Sequence, residues 1–502
     1  MASPVKPFSP GEAYAIVRQL QQPAVFMHMT DDWPVRRWTA QHLDLCLKDK
    51  VITFRLGKRH ETNTPLFETQ CSFVGATLGQ FRWWAEGKAG RDVGAFSAFP
   101  KADYWAYADY KYVAQVFEAA PAVFEDVKWS DFGFEGRSGK ESTLWIGTEG
   151  ANTPCHLDSY GCNLVLQVQG RKRWLLFPPE DTSRLYPTRI PYEESSVFSR
   201  VDVQNPDLCR FRDFSGARAH CVTLLPGQVL FVPRHWWHFV ESVDPVTVSV
   251  NSWIELEADH EARVSEAVTR AVVCAFKTAH SDDNQDDWLN PTEAGVSSHG
   301  ENMQYLNLAL KSFAHKHSSS SSKRLPRPAR DTQPVKRVCT GHISPPSPPF
   351  GPHLTAVRPQ LPVQAAATKK TRKCAKTGPE TERPEGASVL DCDAERAGPG
   401  RGEEASEEAS EEASEEAREE AKEEAREEAK EEAREEAREE AREEAKEEAR
   451  EEAREEAREE ASEEARVSTN DLLDCLVHPE VIRLVTELLI QRQGGDRRTT
   501  PD

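Results

Sequence analysis

The first 275 residues of this 502-residue chain predict a mainly β fold with flanking helices, a sandwich or jelly roll of short strands. Three observations carry that reading. Seven short β-type runs crowd into residues 141–255, and turn signals such as Gly170, Pro178-Pro179 and Pro226-Gly227 separate them. No helical pattern falls between these runs, which disfavours parallel strands joined by crossover helices. Ten of the twelve tryptophans lie between Trp33 and Trp237, so the apolar material for a core is concentrated in the same part of the chain.

Before the strand-rich core (141–255), residues 1–140 read as mixed helix and strand. Ala13, Ile16, Val17 and Leu20 give a helical stripe over Glu12–Gln22, which runs into the extended segment Pro23–Met27. Asp32-Trp33-Pro34 is a loop, Thr39 is an N-cap for a helix through Leu47, and Lys111–Phe124 reads as helix. The expected strands are Ser142–Ile146, Asn163–Val168, Arg173–Phe177, Cys221–Leu225, Val229–Val232, Phe239–Ser242 and Val246–Asn251. A helix over 255–280 follows, with Ala262, Val264, Ala267, Val268 and Val272 on its apolar stripe. Residues 276–402 are rich in Pro and Ser and read as a disordered linker, because they cannot bury enough apolar surface to offset chain entropy.

Residues 403–466 are sixteen copies of Glu-Glu-Ala-X, where X is Ser, Arg or Lys. The residue types favour helix. A four-residue period, however, turns about 400° per repeat, so Ala drifts about 40° each time and builds no fixed apolar face. A solvated, partly helical spacer is the expectation. Residues 467–493 recover amphipathic periodicity as a helix pair, with Ser468–Asn470 capping the first helix and Pro479 in the first turn of the second. Two such helices have no core of their own. They dock on the main domain, dimerise or bind a partner helix, with Leu473, Ile482, Val485 and Leu489 as the expected contact residues.

The net charge of −21 is local: the repeat carries 32 Glu against 12 Arg or Lys, and the rest of the chain is close to neutral. Global charge therefore gives no support for nucleic-acid steering. Eleven cysteines occur without a C-x-x-C pair, as expected of reduced thiols in an intracellular protein. No apolar stretch approaches 18 residues and the N-terminal residues have no apolar signal core, so a soluble protein off the membrane is expected. A cytoplasmic location follows, with the basic run Lys369–Lys376 as the candidate signal for a nuclear pool.

His-x-Asp can aim an imidazole and a carboxylate at one ion from a strand, since residues i and i+2 point the same way. The spacing occurs three times, at His42/Asp44, His156/Asp158 and His280/Asp282. The first sits in a helical segment and the third in a polar run. Context singles out the middle pair. Upstream runs Trp145-Ile-Gly-Thr-Glu-Gly-Ala-Asn-Thr-Pro-Cys-His156, and downstream Asn163–Gly170, Lys172 and Arg173–Pro179. Later comes Pro226-Gly-Gln-Val-Leu-Phe-Val-Pro-Arg-His-Trp-Trp-His238. Together with Gln22–Phe26, Asp32-Trp-Pro and Trp38, these motifs resemble the JmjC family of iron- and 2-oxoglutarate-dependent oxygenases, in its asparaginyl-hydroxylase-like branch. Tyr104–Tyr112 and the terminal Asp474–Ile482 are similar to branch members associated with small heat-shock proteins.

That resemblance implies a double-stranded β-helix of the cupin or jelly-roll type over residues 1–275. It also implies iron(II) held by His156, Asp158 and His238. His235 competes with His238 but lacks the family position after the two tryptophans. Lys172 matches the base that pairs with the distal carboxylate of 2-oxoglutarate, Thr153 the hydroxyl that shares it, and Asn163, Asn251 and Tyr107 further residues of the cosubstrate pocket. The loop Ser159–Cys162 is one residue longer than the branch pattern, which a bulge or loop containing Gly161 absorbs. Two functions follow from the resemblance. One is a protein hydroxylase acting on a protein substrate. The other is a non-catalytic adaptor that keeps the fold and binds small heat-shock proteins through its tail.

Overall fold

The computed structural model describes residues 5–59, 64–190, 196–277, 297–321, 350–360, 446–447, 450–451 and 469–495. The chain divides into two units, Met1–Gln364 with Ser468–Asp502, and Ala365–Val467. Of the second unit only four residues are described, so the Glu-Glu-Ala-X array and Lys369–Lys376 fall almost wholly outside the described residues. Among the described residues no helix is long and apolar enough to cross a membrane.

Among the described residues, fourteen strands and eight helices build the first unit. In chain order the strands are β1 (Ala24–Phe26), β2 (Ile52–Lys58), β3 (Ser72–Ala76), β4 (Tyr104–Tyr112), β5 (Thr143–Thr148), β6 (Asn152–Asp158) and β7 (Cys162–Gln169). They continue with β8 (Lys172–Phe177), β9 (Ser196–Phe198), β10 (His220–Leu224), β11 (Val229–Val232), β12 (Trp237–Ser242), β13 (Val246–Ile254) and β14 (Leu354–Ala356). The helices are α1 (Pro10–Gln19), α2 (Ala40–Leu47), α3 (Leu78–Glu86), α4 (Val113–Val116), α5 (Asp259–Lys277), α6 (His299–Ser321), α7 (Thr469–Leu476) and α8 (Pro479–Gly495).

The strands form two antiparallel sheets, ordered β14-β1-β11-β7-β13-β5-β4-β2-β3 and β10-β8-β12-β6-β9. Period-two alternation explains how they stack. Leu164, Leu166, Val229 and Phe231 face the cluster that α1 and α2 cover, while their neighbours Val165, Leu230 and Val232 face Trp174, Leu176 and Val240 of the second sheet. β7 and β11 are thus buried on both faces, which is why Val229–Val232 and Leu164–Leu166 read as apolar runs without alternation.

Several boundaries differ from the sequence expectation, each for a physical reason. The first helix spans Pro10–Gln19 rather than 12–22, because Ser9 and Glu12 form a capping box with Pro10 in the first turn, and Leu20 is already extended ahead of β1. The helix expected over Lys111–Phe124 shrinks to Val113–Val116. Its first residues complete β4, which pairs with β5, and its end is a 3-10 turn over Pro121–Asp126. β6, the strand carrying His156 and Asp158, was not among the seven expected runs.

Within 276–402, expected to be a disordered linker, α6 and β14 are ordered elements. α6 buries Leu306, Ala309 and Leu310 against Val264 and Val268 of α5, and β14 pairs with β1. The C-terminal helix pair docks on the same chain: Leu473 packs with Ile190 and Val273, and Ile482 joins the α5–α6 cluster. Arg189 fastens α7, donating to Asp474 at 2.6 Å and to the Asn470 carbonyl at 2.9 Å. Three of the four residues expected to contact a partner are therefore engaged within the chain. Leu473 and Ile482 are buried, Leu489 packs against the same cluster, and Val485 stays exposed.

The extra residue after Asp158 sits in the turn Ser159–Gly161 between β6 and β7. Gly161 has φ +65°, and a Cβ there would lie 2.5 Å from the Ile254 carbonyl oxygen. Both strain and clash oppose any larger residue. Gly161→Ala should lower the unfolding free energy by about 1–3 kcal/mol in urea melts, and by more than Gly136→Ala, where φ is also positive but nothing lies within 4 Å of the added Cβ. Unchanged stability of Gly161→Ala would show that the turn relaxes freely.

Candidate metal centre

β6 and β12 are neighbours in the five-stranded sheet, and their register sets His238 directly opposite His156. Asp158 lies two residues beyond His156 on the same face of its strand. One ligand atom from each of His156, Asp158 and His238 falls within 4.8 Å of the others. The Nδ1 of His156 lies 2.8 Å from the Pro154 carbonyl oxygen, and the Nδ1 of His238 lies 2.9 Å from that of Trp236. A carbonyl can only accept, so both Nδ1 atoms carry hydrogen and both Nε2 atoms are left with their lone pairs. Trp253 Nε1 donates to Asp158 Oδ2 at 3.0 Å and fixes the carboxylate. Burial, with His238 alongside, pushes His156 well below the usual imidazole range, so it is neutral near pH 7.

The other histidines lie elsewhere. Asp44 donates nothing to an ion site; it pairs with Arg82 at 2.6 Å, and His42 lies against Cys46. His280 and Asp282 are outside the described residues. His235 adopts φ +63° and places Nε2 3.3 Å from the Ser159 carbonyl oxygen, outside the three-residue cluster.

Behind the two histidines is a small cavity between the two sheets. Thr153, Asn163, Lys172, Asn251 and Tyr107 all line it. Lys172 is buried, and its Nζ donates to Tyr107 Oη at 3.1 Å and Ser249 Oγ at 2.9 Å, both neutral acceptors. Burial pushes its ammonium down to about 7, a shift that Asp109 only partly opposes. Burial also pushes the Tyr107 phenol up, so it stays a neutral hydroxyl. Asn251 is oriented from both sides, accepting from Trp145 Nε1 at 2.7 Å and donating to Asn163 Oδ1 at 2.9 Å. It acts through Asn163 and Trp145 as much as toward the cavity.

Sequence reasoning passed over Ser249, Trp253, Trp174 and Tyr110, which also line the cavity. Ser249 and Trp253 had a signal, since they flank Asn251 at two-residue spacing on β13 and share its face. Tyr110 had none. It sits at φ +50° where the β4–β5 register slips between Ala108 and Lys111, a bulge that no residue pattern announces.

A two-imidazole, one-carboxylate set suits iron(II) with open positions. The cavity also fits a carboxylate-bearing cosubstrate. Among the described residues, two buried donors of its lining want for such a partner: Lys172 Nζ donates to neutral oxygens, and Trp174 Nε1 has no hydrogen-bond acceptor.

The model of the Cupin-like domain family matches residues 11–260. The chain is 50% identical to HSPB1-associated protein 1 homolog of Danio rerio over 494 residues, which covers 97% of this chain and 98% of the relative. It is 60% identical to HSPB1-associated protein 1 of Homo sapiens over 309 residues, 62% of this chain and 63% of the relative. Similarity to Lysine-specific demethylase 8 of Danio rerio is more limited, 37% identity over 142 residues, 28% of this chain and 34% of the relative.

Proposed function

The chain belongs to the HSPB1-associated protein 1 family with its JmjC-type, Cupin-like domain, and from that premise we propose that it is an iron(II)- and 2-oxoglutarate-dependent dioxygenase that hydroxylates a protein substrate and associates with small heat-shock proteins. The observation that carries the reading is the convergence of His156, Asp158 and His238 with buried Lys172 on one cavity. Iron(II) and 2-oxoglutarate, when bound, supply oxygen activation and the oxidising equivalents for a substrate C–H bond.

The chain's own residues do the holding and ordering. The Nε2 atoms of His156 and His238 and the carboxylate of Asp158 would hold the metal from one side, with Trp253 keeping Asp158 aimed. The Lys172 ammonium would pair with the far carboxylate of the cosubstrate, and Tyr107 and Thr153 would share it through their hydroxyls. Walls of Trp145, Trp174 and Val240 exclude water, which strengthens that ion pair.

Anaerobic titration of the full chain with iron(II) and 2-oxoglutarate should give a metal-to-ligand charge-transfer band in the visible, and admission of air should release succinate. Absence of the band would sink the oxygenase reading. It would leave the second one, an adaptor with this fold, which the relatives' names favour because they record association and no reaction.

A further inference from the structure

Residues 350–360 fall in the stretch expected to be a linker, yet they lie against the edges of both sheets. β14 pairs antiparallel with β1, from Leu354 opposite Phe26 to Ala356 opposite Ala24. The pairing extends at both ends. Met27 N–H donates to the His353 carbonyl at 3.0 Å, and Val357 N–H donates to that of Pro23 at 2.9 Å. The segment then reaches β10, the strand that ends the other sheet: Pro359 bridges to His220, and Gln360 N–H donates to the Ala219 carbonyl at 2.8 Å. Without β14, β1 would be the bare edge of the nine-stranded sheet.

Within residues 350–360 only Leu354 and Val357 are buried. Leu354 joins the cluster that α1 and α2 cover, and Val357 joins Val25, Leu224 and Trp236 between the sheets. The two anchors face opposite ways, as residues three apart on an extended chain do. In sequence, the nearest elements of the first unit are α6, which ends at Ser321, and α7, which begins at Thr469. The segment is therefore held by two anchors, a ladder of backbone bonds and the edge-to-face contact of His353 with His28. Backbone pairing to a sheet edge with side-chain anchors in pockets is how an extended peptide ligand adds to a sheet.

We propose that the cleft between β1 and β10 is a docking groove for an extended peptide of the form Leu-x-x-Val-x-Pro, and that residues 350–360 fill it in cis as a detachable strap. Leu354 and Val357 set the spacing, and Pro359, with no N–H to give, suits the end of the ladder. Tethering gives the strap an effective concentration on the order of 1 mM, so the intact chain is closed to a free peptide at micromolar concentration. Detachment bares the β1 edge, for which a partner strand of the same form then competes with the strap. The groove goes beyond the oxygenase reading and needs neither metal nor cosubstrate.

The test uses the full chain and a fluorescein-labelled peptide of residues 350–360, read by anisotropy. The double variant Leu354→Asp, Val357→Asp should stay folded by its melting curve. It should bind the peptide at least tenfold more tightly than the wild type, whose groove is filled. A peptide carrying the same two substitutions should bind neither chain. Equal binding to wild type and variant, or binding to neither, overturns the proposal. So does a variant without a cooperative melt, because a segment that the sandwich cannot fold without is core and not a strap. Hydrogen exchange in the wild type gives a second reading. The Met27 and Val357 amides should exchange through an opening that leaves β7 and β13 protected. Exchange of these two amides only together with the whole sandwich overturns the proposal as well.

Discussion

Lys172→Met should raise the 2-oxoglutarate concentration for half-saturation by about 100-fold or more, since removing one partner of a buried ion pair costs about 3–5 kcal/mol. The side chain is buried among Tyr107, Ser249 and Trp145, so methionine fills nearly the same space without the cost of a buried ammonium. The fold should therefore survive. The same substitution should remove a pH dependence. Burial holds the Lys172 ammonium at about 7 without the cosubstrate, far below its value in an unfolded chain.

Two consequences of that depressed value have definite signs. The cosubstrate-free protein pays for the buried ammonium fully below about pH 7, and stability recovers as pH rises from there toward the unfolded value. A bound carboxylate restores the preference for the charged form. Binding above pH 7 thus takes up a proton, and 2-oxoglutarate affinity should fall by up to about tenfold per pH unit. Anaerobic titrations at several pH values from 6.5 to 8.5 would read that slope in the wild type and its loss in Lys172→Met. A variant that binds as tightly as the wild type would show that Lys172 does not meet the cosubstrate.

Much of the core was legible because turn signals such as Gly170 and Pro226-Gly227 bound its short β-type runs. Val229–Val232 was bounded from sequence as it stands in β11, and β7, β8, β12 and β13 lie within three residues of their expected limits. What escaped depends on distant contacts. β6 carries Thr153, Pro154 and Cys155 in a run whose polarity hides its burial between β12 and β9. α6 looked like part of a solvated linker, since Leu306, Ala309, Leu310 and Phe313 anchor it to partners on the distant α5 and α8. β14 is three residues long and gains its pairing from β1, more than 300 residues earlier in the chain.

The site was legible at a different level. No spacing rule separates three His-x-Asp pairs; the resemblance of the surrounding motifs did, and the fold then brings His156 and His238 opposite one another across adjacent strands. The docking groove was out of reach, because Val25, Leu224 and Val357 meet only when residues 350–360 cross from β1 to β10. The same dependence explains the tail. Amphipathic helices announce a buried face without naming what covers it, and of the three expected covers it is the main domain, through α5, that buries Ile482.

His238→Ala should weaken iron(II) binding by more than the about 10–100-fold that losing a mere supporting hydrogen bond costs. It should abolish both the charge-transfer band and succinate release, while His235→Ala leaves the band in place. The contrast is sharp because the two residues are three apart in sequence and face different neighbours. His238 stacks on Trp174 and lies 4.2 Å, centroid to centroid, from His156, with Nδ1 committed to the Trp236 carbonyl. His235 spends its Nε2 on the Ser159 carbonyl from a left-handed backbone position ahead of β12. Titrating both variants anaerobically, with melting curves to confirm folding, separates a ligand from a bystander. Retention of the band in His238→Ala, or its loss in His235→Ala, would move the metal to a different set of residues, and with it the direction from which any substrate approaches Asp158.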